Sequence, residues 1–204
     1  MNPDTVRLYQ YGPSGNCYKV RLLLTHLGIP FETTEVQLRM TRDVAREFKK
    51  VNPLGRVPAV VLPSGEMLAE SNAILSYFAE GTPFLPAEPL ARARAMQWMF
   101  WEQYDHEPYV AVLRGWLKFF GVPPGKEREL EERRTKAYAA FDVMERHLGA
   151  EDYFAGGRYT IADIALYAYT HVCGDGGLDL ARYPGINRWL DRVRSQPGHI
   201  PIDV

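Results

Sequence analysis

The pattern of apolar residues changes near residue 81, and this change constrains the fold more than any other feature of the sequence. Before it, short runs typical of strands alternate with stretches in which apolar residues recur at helical spacing. After it, only helical patterns occur. The sequence therefore predicts an α/β domain over residues 1–80, a linker at 81–88 and an all-α domain over 89–204.

The first domain has the predicted element order β-α-β-α-β-β-α. Strands are predicted at 6–9, 31–36, 57–62 and 67–69, and helices at 17–27, 41–50 and 71–79. Helices between strands favour parallel pairing, and the turn at 63–65 adds an antiparallel hairpin at the edge. A small sheet of this kind, covered by helices, is the thioredoxin-like arrangement.

The second domain follows a proline-rich linker and shows several helical patterns. Helices are predicted at 90–119 with a break near Pro108, at 127–148 and at 186–194. Another helix is expected to begin at Thr160, because Thr160 and Asp163 have the spacing of a capping box.

Composition excludes several classes of partner. The 204 residues carry a net charge of −1 with dispersed lysines and arginines, so neither nucleic acid nor a membrane surface is expected. The two cysteines, Cys17 and Cys173, are too few for a disulfide framework or a multi-cysteine metal site, and no metal is expected. The chain shows no leader pattern and no apolar stretch near the ~20 residues of a membrane span, which favours the cytoplasm.

The loop after the first strand, Tyr11 to Cys17, ends at a predicted helix N-terminus. Unpaired N–H groups and the helix dipole favour an anion there, and a thiolate is an anion. Ser14 and Asn16 can both donate hydrogen bonds to a thiolate, which would lower the pKa of the thiol. The alternative is that Ser14 or Asn16 only caps the helix, as these residue types do well.

Cys17 allows two interpretations. The sequence has Ser14-x-x-Cys17 where a thioredoxin-like redox enzyme has Cys-x-x-Cys, so this site cannot form an internal disulfide. Cys17 is then either a reactive thiol near a helix N-terminus or a small buried residue packed under the loop.

Two further segments suit a charged peptide ligand. Pro58 cannot donate within a strand, which leaves the backbone of Val57 free to pair with an extended peptide. Glu70 can pair with an ammonium group, and Ser71, at a helix N-terminus, can hold a carboxylate. The alternative for Ser71 is an ordinary helix cap.

These segments together resemble the cytosolic glutathione transferase superfamily over nearly the full chain. The motifs that carry the resemblance are Ser14–Arg21, Asn52–Ala59, Glu70–Ile74 and Thr160–Asp163; each is weak alone, but four in this order are specific. The first loop is similar to the serine-using zeta and theta-like classes. It is also similar to bacterial classes with a Thr-x-Asn pair, which here would be Ser14 and Asn16.

The resemblance implies a site for glutathione as cosubstrate, and a homodimer. By this resemblance Val57 pairs with the cysteinyl backbone, Pro58 follows a cis bond, and Glu70 and Ser71 hold the γ-glutamyl end. Arg56 and Arg42 would lie near the glycyl carboxylate.

The resemblance also implies the function. We expect a glutathione transferase that activates the glutathione thiolate for attack on electrophilic small molecules, or on a peroxide oxygen. One alternative is a glutathione-dependent disulfide reductase, which a mixed disulfide at Cys17 would favour. Another is a non-catalytic glutathione-binding module, against which Arg56, Glu70 and Ser71 argue, since a scaffold needs no site for an amino-acid head group.

Overall fold

The computed structural model describes residues 5–37 and 42–203, with side chains from residue 46 onward in the second range. The chain divides into two units. The first comprises Met1–Glu80 and Pro197–Val204, and the second comprises Gly81–Gln196. No helix within the described ranges is long and apolar enough to cross a membrane.

The first unit contains the predicted elements in the predicted order. They are β1 (Val6–Gln10), α1 (Gly15–His26), β2 (Phe31–Glu35), α2 (Arg42–Val51), β3 (Ala59–Val61), β4 (Met67–Ala69) and α3 (Ser71–Ala79). The four strands form one sheet in the order β2-β1-β3-β4. Strands β1 and β2 are parallel, as predicted for strands separated by a helix.

The expected parallel pairing is wrong for β3, which runs antiparallel to β1 as well as to β4. The reason lies in the turn between α2 and β3, residues 52–58. This turn brings the chain to the end of the sheet where β1 finishes, so that Ala59 pairs with Tyr9 near the end of β1. The presence of a crossover helix does not by itself fix the direction in which the next strand enters the sheet.

The strand side chains alternate between two helix-covered faces, as the pleat requires. On one face, Val6, Leu8 and Val60 pack with Val20 and Leu24 of α1 and Ile74 of α3. On the other face, Ala59 and the half-buried Tyr9 pack with Phe48 of α2. This is the thioredoxin-like arrangement, so that prediction is confirmed.

The end of the chain was expected within the helical domain, but Pro197–Val204 groups with the first unit. Its backbone carbonyls explain the difference. The Tyr18 hydroxyl donates to the Ile200 carbonyl at 2.7 Å, and the Arg21 guanidinium donates to the Ile202 carbonyl at 2.6 Å. Contacts to backbone oxygens leave no side-chain pattern from which they could be predicted.

The second unit is helical, as predicted. Its helices are α4 (Pro89–Trp101), α5 (Glu107–Arg114), α6 (Glu127–Leu148), α7 (Ile161–Thr170) and α8 (Pro184–Arg194), with π-helical segments at Glu102–His106 and Gly115–Phe120 and a 3₁₀ turn at Cys173–Gly176. No break occurs near Pro108: the chain stays helical there, and a π-helical segment leads directly into α5. Pro108 lies in the first turn of α5, directly after this segment.

Helix α7 begins with the predicted capping box. The Thr160 side chain accepts from the backbone of the first turn, and the Asp163 carboxylate accepts from the Thr160 N–H at 2.9 Å. The same carboxylate accepts from the Phe154 N–H and from the Trp189 indole of α8, each at 3.0 Å. Asp163 is fully buried. It therefore joins three segments of the second unit as well as capping one helix.

Candidate functional site

The pairing of the sheet brings the candidate motifs of the first unit to one edge. Ala59, at the start of β3, pairs with Tyr9 near the end of β1 and with Ala69 at the end of β4. The first loop continues from β1, Val57 and Pro58 lead into β3, and Glu70 follows β4. The antiparallel direction of β3, which the sequence did not predict, is what places these segments together.

Ser14 lies at the N-terminus of α1, where its backbone is extended and its hydroxyl accepts from the Cys17 N–H. This bond is long, at 3.4 Å, and Ser14 is half-buried. Ser14 therefore does cap α1. A hydroxyl that accepts one weak bond can still donate its proton to another group.

Cys17 is fully buried, and its sulfur accepts a hydrogen bond from the Tyr11 N–H at 3.5 Å. Burial raises the pKa of the Cys17 thiol to about 11, against smaller opposing effects of hydrogen bonds from Tyr11 and Ser14. A thiol with this pKa is protonated at neutral pH and is a poor nucleophile. The structure thus favours the interpretation of Cys17 as a residue packed under the loop.

Glu70 and Ser71 form the turn from β4 into α3. Glu70 is exposed and has φ 68° and ψ 113°, the positive φ that side-chain-bearing residues seldom adopt. Backbone strain of this kind persists at functional sites where the surrounding structure imposes it. Ser71, the first residue of α3, is buried, and Glu70 at the N-cap position makes no side-chain capping bond.

Ser71 and Asn16 are in direct contact. The Ser71 hydroxyl donates to the Asn16 side-chain oxygen at 3.2 Å, which connects the N-terminal turns of α3 and α1. The Lys19 ammonium lies 3.5 Å from the same hydroxyl oxygen and is fully buried. Lys19 was not predicted as a site residue. The sequence signal that could have identified it is a lysine next to Val20, within the apolar pattern of α1.

Val57 and Pro58 are joined by a cis peptide bond, which confirms that implication of the resemblance. Pro58 is buried and Val57 is half-buried. Within the described part of the chain, no backbone hydrogen bond to Val57 is found. The loop before them is fixed by the buried Asn52, whose amide donates to the Arg56 carbonyl at 2.7 Å and whose oxygen accepts from the Leu54 N–H.

Two arginines, Arg56 and Arg42, were predicted to lie near the glycyl carboxylate of the ligand. Arg56 is exposed beside Val57. The side chain of Arg42 lies outside the described residues, so its predicted role stays a prediction. Over the described ranges, no group of three or more His, Cys, Asp or Glu side chains is placed to hold a metal ion.

Comparison with known proteins identifies the family. Residues 13–80 match the glutathione S-transferase N-terminal domain, and residues 100–197 match the glutathione S-transferase C-terminal domain. The chain belongs to the glutathione transferase superfamily. This confirms the family predicted from the four motifs.

Individual known proteins resemble the chain over almost its whole length. The crystal structure of a glutathione S-transferase from Pseudomonas fluorescens Pf-5 has 46% sequence identity, a TM-score of 0.93, and coverage of 97% of this chain and 98% of that one. The disulfide-bond oxidoreductase YfcG of Escherichia coli is 30% identical over 92% of this chain and 89% of its own length. Another family member from P. fluorescens, whose structure has two glutathione bound, is 29% identical with a TM-score of 0.82, covering 97% and 92% of the two chains.

Proposed function

We propose that this member of the glutathione transferase superfamily binds glutathione at the sheet edge and transfers the glutathionyl group, through its sulfur, to electrophilic small molecules. The observation that carries the proposal is the meeting of three kinds of group at that edge. Glu70 and Ser71 suit the α-amino-acid end of a γ-glutamyl group. The backbone of Val57 suits an extended peptide, and the N-terminus of α1 suits a thiolate.

The contact between Ser71 and Asn16 connects the two ends of this proposed site. The γ-glutamyl carboxylate would lie against the N-terminus of α3, and the thiolate against the N-terminus of α1. The Ser71 hydroxyl donates to Asn16 at 3.2 Å, so the two helix ends are in direct contact. A ligand that reaches both ends would therefore have its sulfur positioned by the binding of its head group.

The chemistry then requires ionisation of the bound thiol. Ser14 and Asn16 would donate to the sulfur, and the helix dipole of α1 favours the negative charge, so the proton leaves to solvent near neutral pH. The thiolate attacks the electrophilic carbon, a C–S bond forms, and the leaving group departs with its electron pair. Attack on a peroxide would instead form an S–O bond with loss of hydroxide or alkoxide.

Disulfide reduction is the second candidate, and the name of the E. coli relative favours it. Since Cys17 is buried with a raised pKa, this route would use glutathione alone. One glutathione thiolate attacks the disulfide and releases a thiolate. A second glutathione thiolate then attacks the mixed disulfide, releasing the other thiolate and glutathione disulfide. The relative with two glutathione bound fits such a reaction.

We also propose that the chain forms a homodimer and works in the cytoplasm. The second unit presents large aromatic side chains to solvent, Phe100 at 73% and Tyr104 at 81% exposure, which a second copy could cover. Sedimentation at micromolar concentration tests the dimer, and a monomer would contradict it. The domain limits at residues 80 and 89 likewise remain proposals.

Glutathione binding is tested by calorimetry with Glu70→Gln. Loss of the carboxylate removes the partner of the ligand ammonium, and we expect binding to weaken by about 1.5–3 kcal/mol. Glu66→Gln is the matched control, because Glu66 is an exposed glutamate of the β3–β4 turn in the same unit. Unchanged affinity in Glu70→Gln would overturn the binding assignment.

Assays with two different substrates distinguish transfer from disulfide reduction. An activated aryl chloride reports transfer, and a small symmetric disulfide with excess glutathione reports reduction. Rapid conjugation without disulfide turnover supports the transferase, and the reverse supports the reductase. Failure of the native chain to bind glutathione at all would favour a non-catalytic member.

A further inference from the structure

A buried arginine lies directly behind the first loop. Arg21 of α1 is 3% exposed, and its guanidinium donates to three oxygens. These are the Gln10 side-chain oxygen at 2.6 Å, the Gly12 carbonyl at 3.2 Å and the Ile202 carbonyl at 2.6 Å. The first two acceptors are the last residue of β1 and a residue of the loop that carries Ser14.

Glu35, at the end of β2, binds the same two residues. Its carboxylate accepts from the Gln10 amide at 2.7 Å and from the Gly12 N–H at 3.1 Å. Gln10 and Gly12 are thus each bound by both Arg21 and Glu35, through one donor and one acceptor each.

The last residues of the first unit supply the third acceptor of Arg21, whose buried Nε has no hydrogen-bond partner in the described part of the chain. Tyr18 and Arg21 lie one turn apart on α1 and donate to the carbonyls of Ile200 and Ile202. The carbonyl of Ile202 is one of only two acceptors that Arg21 reaches at 2.6 Å among the residues described. Without it, a buried guanidinium would lose a hydrogen bond and would have to shift or hydrate.

We propose that Arg21 and Glu35 are positioning residues for the thiolate, and that the C-terminal segment 200–202 is part of that positioning device. The inference rests on the proposed function, since it concerns the same thiolate site. Gly12 lies two residues before Ser14, and the Ser14 N–H donates to the Tyr11 carbonyl at 2.9 Å. Displacement of Arg21 would loosen its longest bond, to Gly12, and move the loop that aims the Ser14 hydroxyl at the sulfur.

The test compares two shortened chains. One ends after Ile202, so its terminal carboxylate still offers an oxygen to Arg21 at that position. The other ends after Pro201 and loses that acceptor. Both lack Asp203 and both carry one terminal carboxylate, so their net charge is the same. The two chains differ in residue Ile202 and in the position of the terminal carboxylate.

The measured quantity is the pKa of bound glutathione, followed by thiolate absorbance. We expect the chain ending at Ile202 to match the full chain, and the chain ending at Pro201 to show a thiol pKa higher by about one unit. Its turnover at neutral pH should fall correspondingly, while its glutathione affinity at high pH is retained. A purely structural role would lower the melting temperature and leave the thiol pKa unchanged.

Equal thiol pKa values in the two shortened chains would overturn the inference, whatever their stabilities. This outcome is distinct from failure of the proposed function, in which the full chain itself would not bind or ionise glutathione. Tyr18→Phe adds an independent arm, because it removes the hydroxyl that binds Ile200 and leaves Arg21 in place. We expect a shift of the thiol pKa in the same direction and smaller; a fall in that pKa would contradict the proposal.

Discussion

Two helix N-termini in this protein begin with a hydroxyl residue and differ in almost everything else. At α7, Thr160 and Asp163 are completely buried, and the Asp163 carboxylate accepts four hydrogen bonds at 2.9–3.0 Å. At α1, the half-buried Ser14 accepts a single bond at 3.4 Å. Both ends have a hydroxyl residue at the N-cap, but only α7 adds a buried carboxylate with its acceptors occupied. Burial and saturation, which sequence does not display, separate a structural cap from a candidate ligand site.

The largest effect should come from breaking the saturated cap. Asp163→Ala leaves buried donors on Phe154, Thr160 and Trp189 without their acceptor. Each unsatisfied group costs about 1–3 kcal/mol, so we expect the free energy of unfolding to fall by about 3–5 kcal/mol in urea titrations. Glutathione affinity of the folded fraction should be unchanged.

Asp191→Ala is the control for this variant, because the Asp191 side chain is 74% exposed on α8. Its effect should remain within about 0.5 kcal/mol. If Asp163→Ala kept full stability but lost glutathione, the distinction between the two helix ends would be wrong.

A smaller effect on the same cap is expected from pH. Burial raises the pKa of Asp163 from 3.8 to about 6, against opposing hydrogen bonds from Phe154, Thr160 and Trp189. Since the folded protein holds the proton more tightly, this contribution to stability is complete below pH 3.8 and is lost as the pH rises through about 6. The stability advantage of the native chain over Asp163→Asn should therefore shrink between pH 4 and pH 7. An advantage that grew with pH would mean that the four donors outweigh burial and keep the carboxylate ionised.

The open helix end should respond in activity more than in stability. Ser14→Ala removes one donor to the proposed thiolate, worth about 1.5–3 kcal/mol, so the pKa of bound glutathione should rise by about one to two units. Its cost in unfolding free energy should be only about 0.5 kcal/mol, the low end for a lost cap, because the capping bond is long. Thiolate absorbance and urea titration measure the two quantities on the same sample.

Asn16→Ala should also raise the pKa of bound glutathione. Cys17→Ser is the matched control in this loop, since it retains an acceptor for the Tyr11 N–H, and it should leave the thiol pKa unmoved. If the pKa of bound glutathione shifted in Cys17→Ser but not in Ser14→Ala, thiolate activation would be assigned to Cys17. That result would favour the disulfide reductase.

The contrast between the two helix ends also shows which parts of the molecule sequence can predict. The cap of α7 was predictable because a capping box depends on residues three apart. Helix α6 was predictable at 127–148 for the same reason, since the helical spacing of apolar residues is a local pattern. The direction of β3 was not, because it depends on the path of residues 52–58 rather than on the residue types of the strand.

The candidate site was predictable to the extent that it lies in local motifs. Ser14, Val57, Glu70 and Ser71 were identified from motifs, and the structure brings their segments to one sheet edge. Lys19 and Arg21 were missed because their burial is a tertiary property of a helix end that packs against α3 and the end of the chain. The contacts of Arg21 to the carbonyls of Gly12 and Ile202 involve backbone atoms, which every residue possesses.

The smallest expected effect is on the free energy of unfolding at Glu70. The strained backbone of this proposed ligand residue should make the folded protein less stable. Its φ of 68° costs a residue with a side chain about 1–3 kcal/mol, whereas glycine adopts positive φ freely but loses about 0.5–1 kcal/mol of chain entropy on folding. Glu70→Gly should therefore raise the free energy of unfolding by about 1 kcal/mol while weakening glutathione binding. Glu70→Ala removes the same carboxylate but keeps the strained backbone, so it should weaken binding without the gain in stability. If urea titrations gave both variants the same stability, the backbone of Glu70 would store no strain. A glutamate that stabilised the fold would then resemble Asp163 of α7, and the case for Glu70 as a ligand residue would rest on its exposed carboxylate alone.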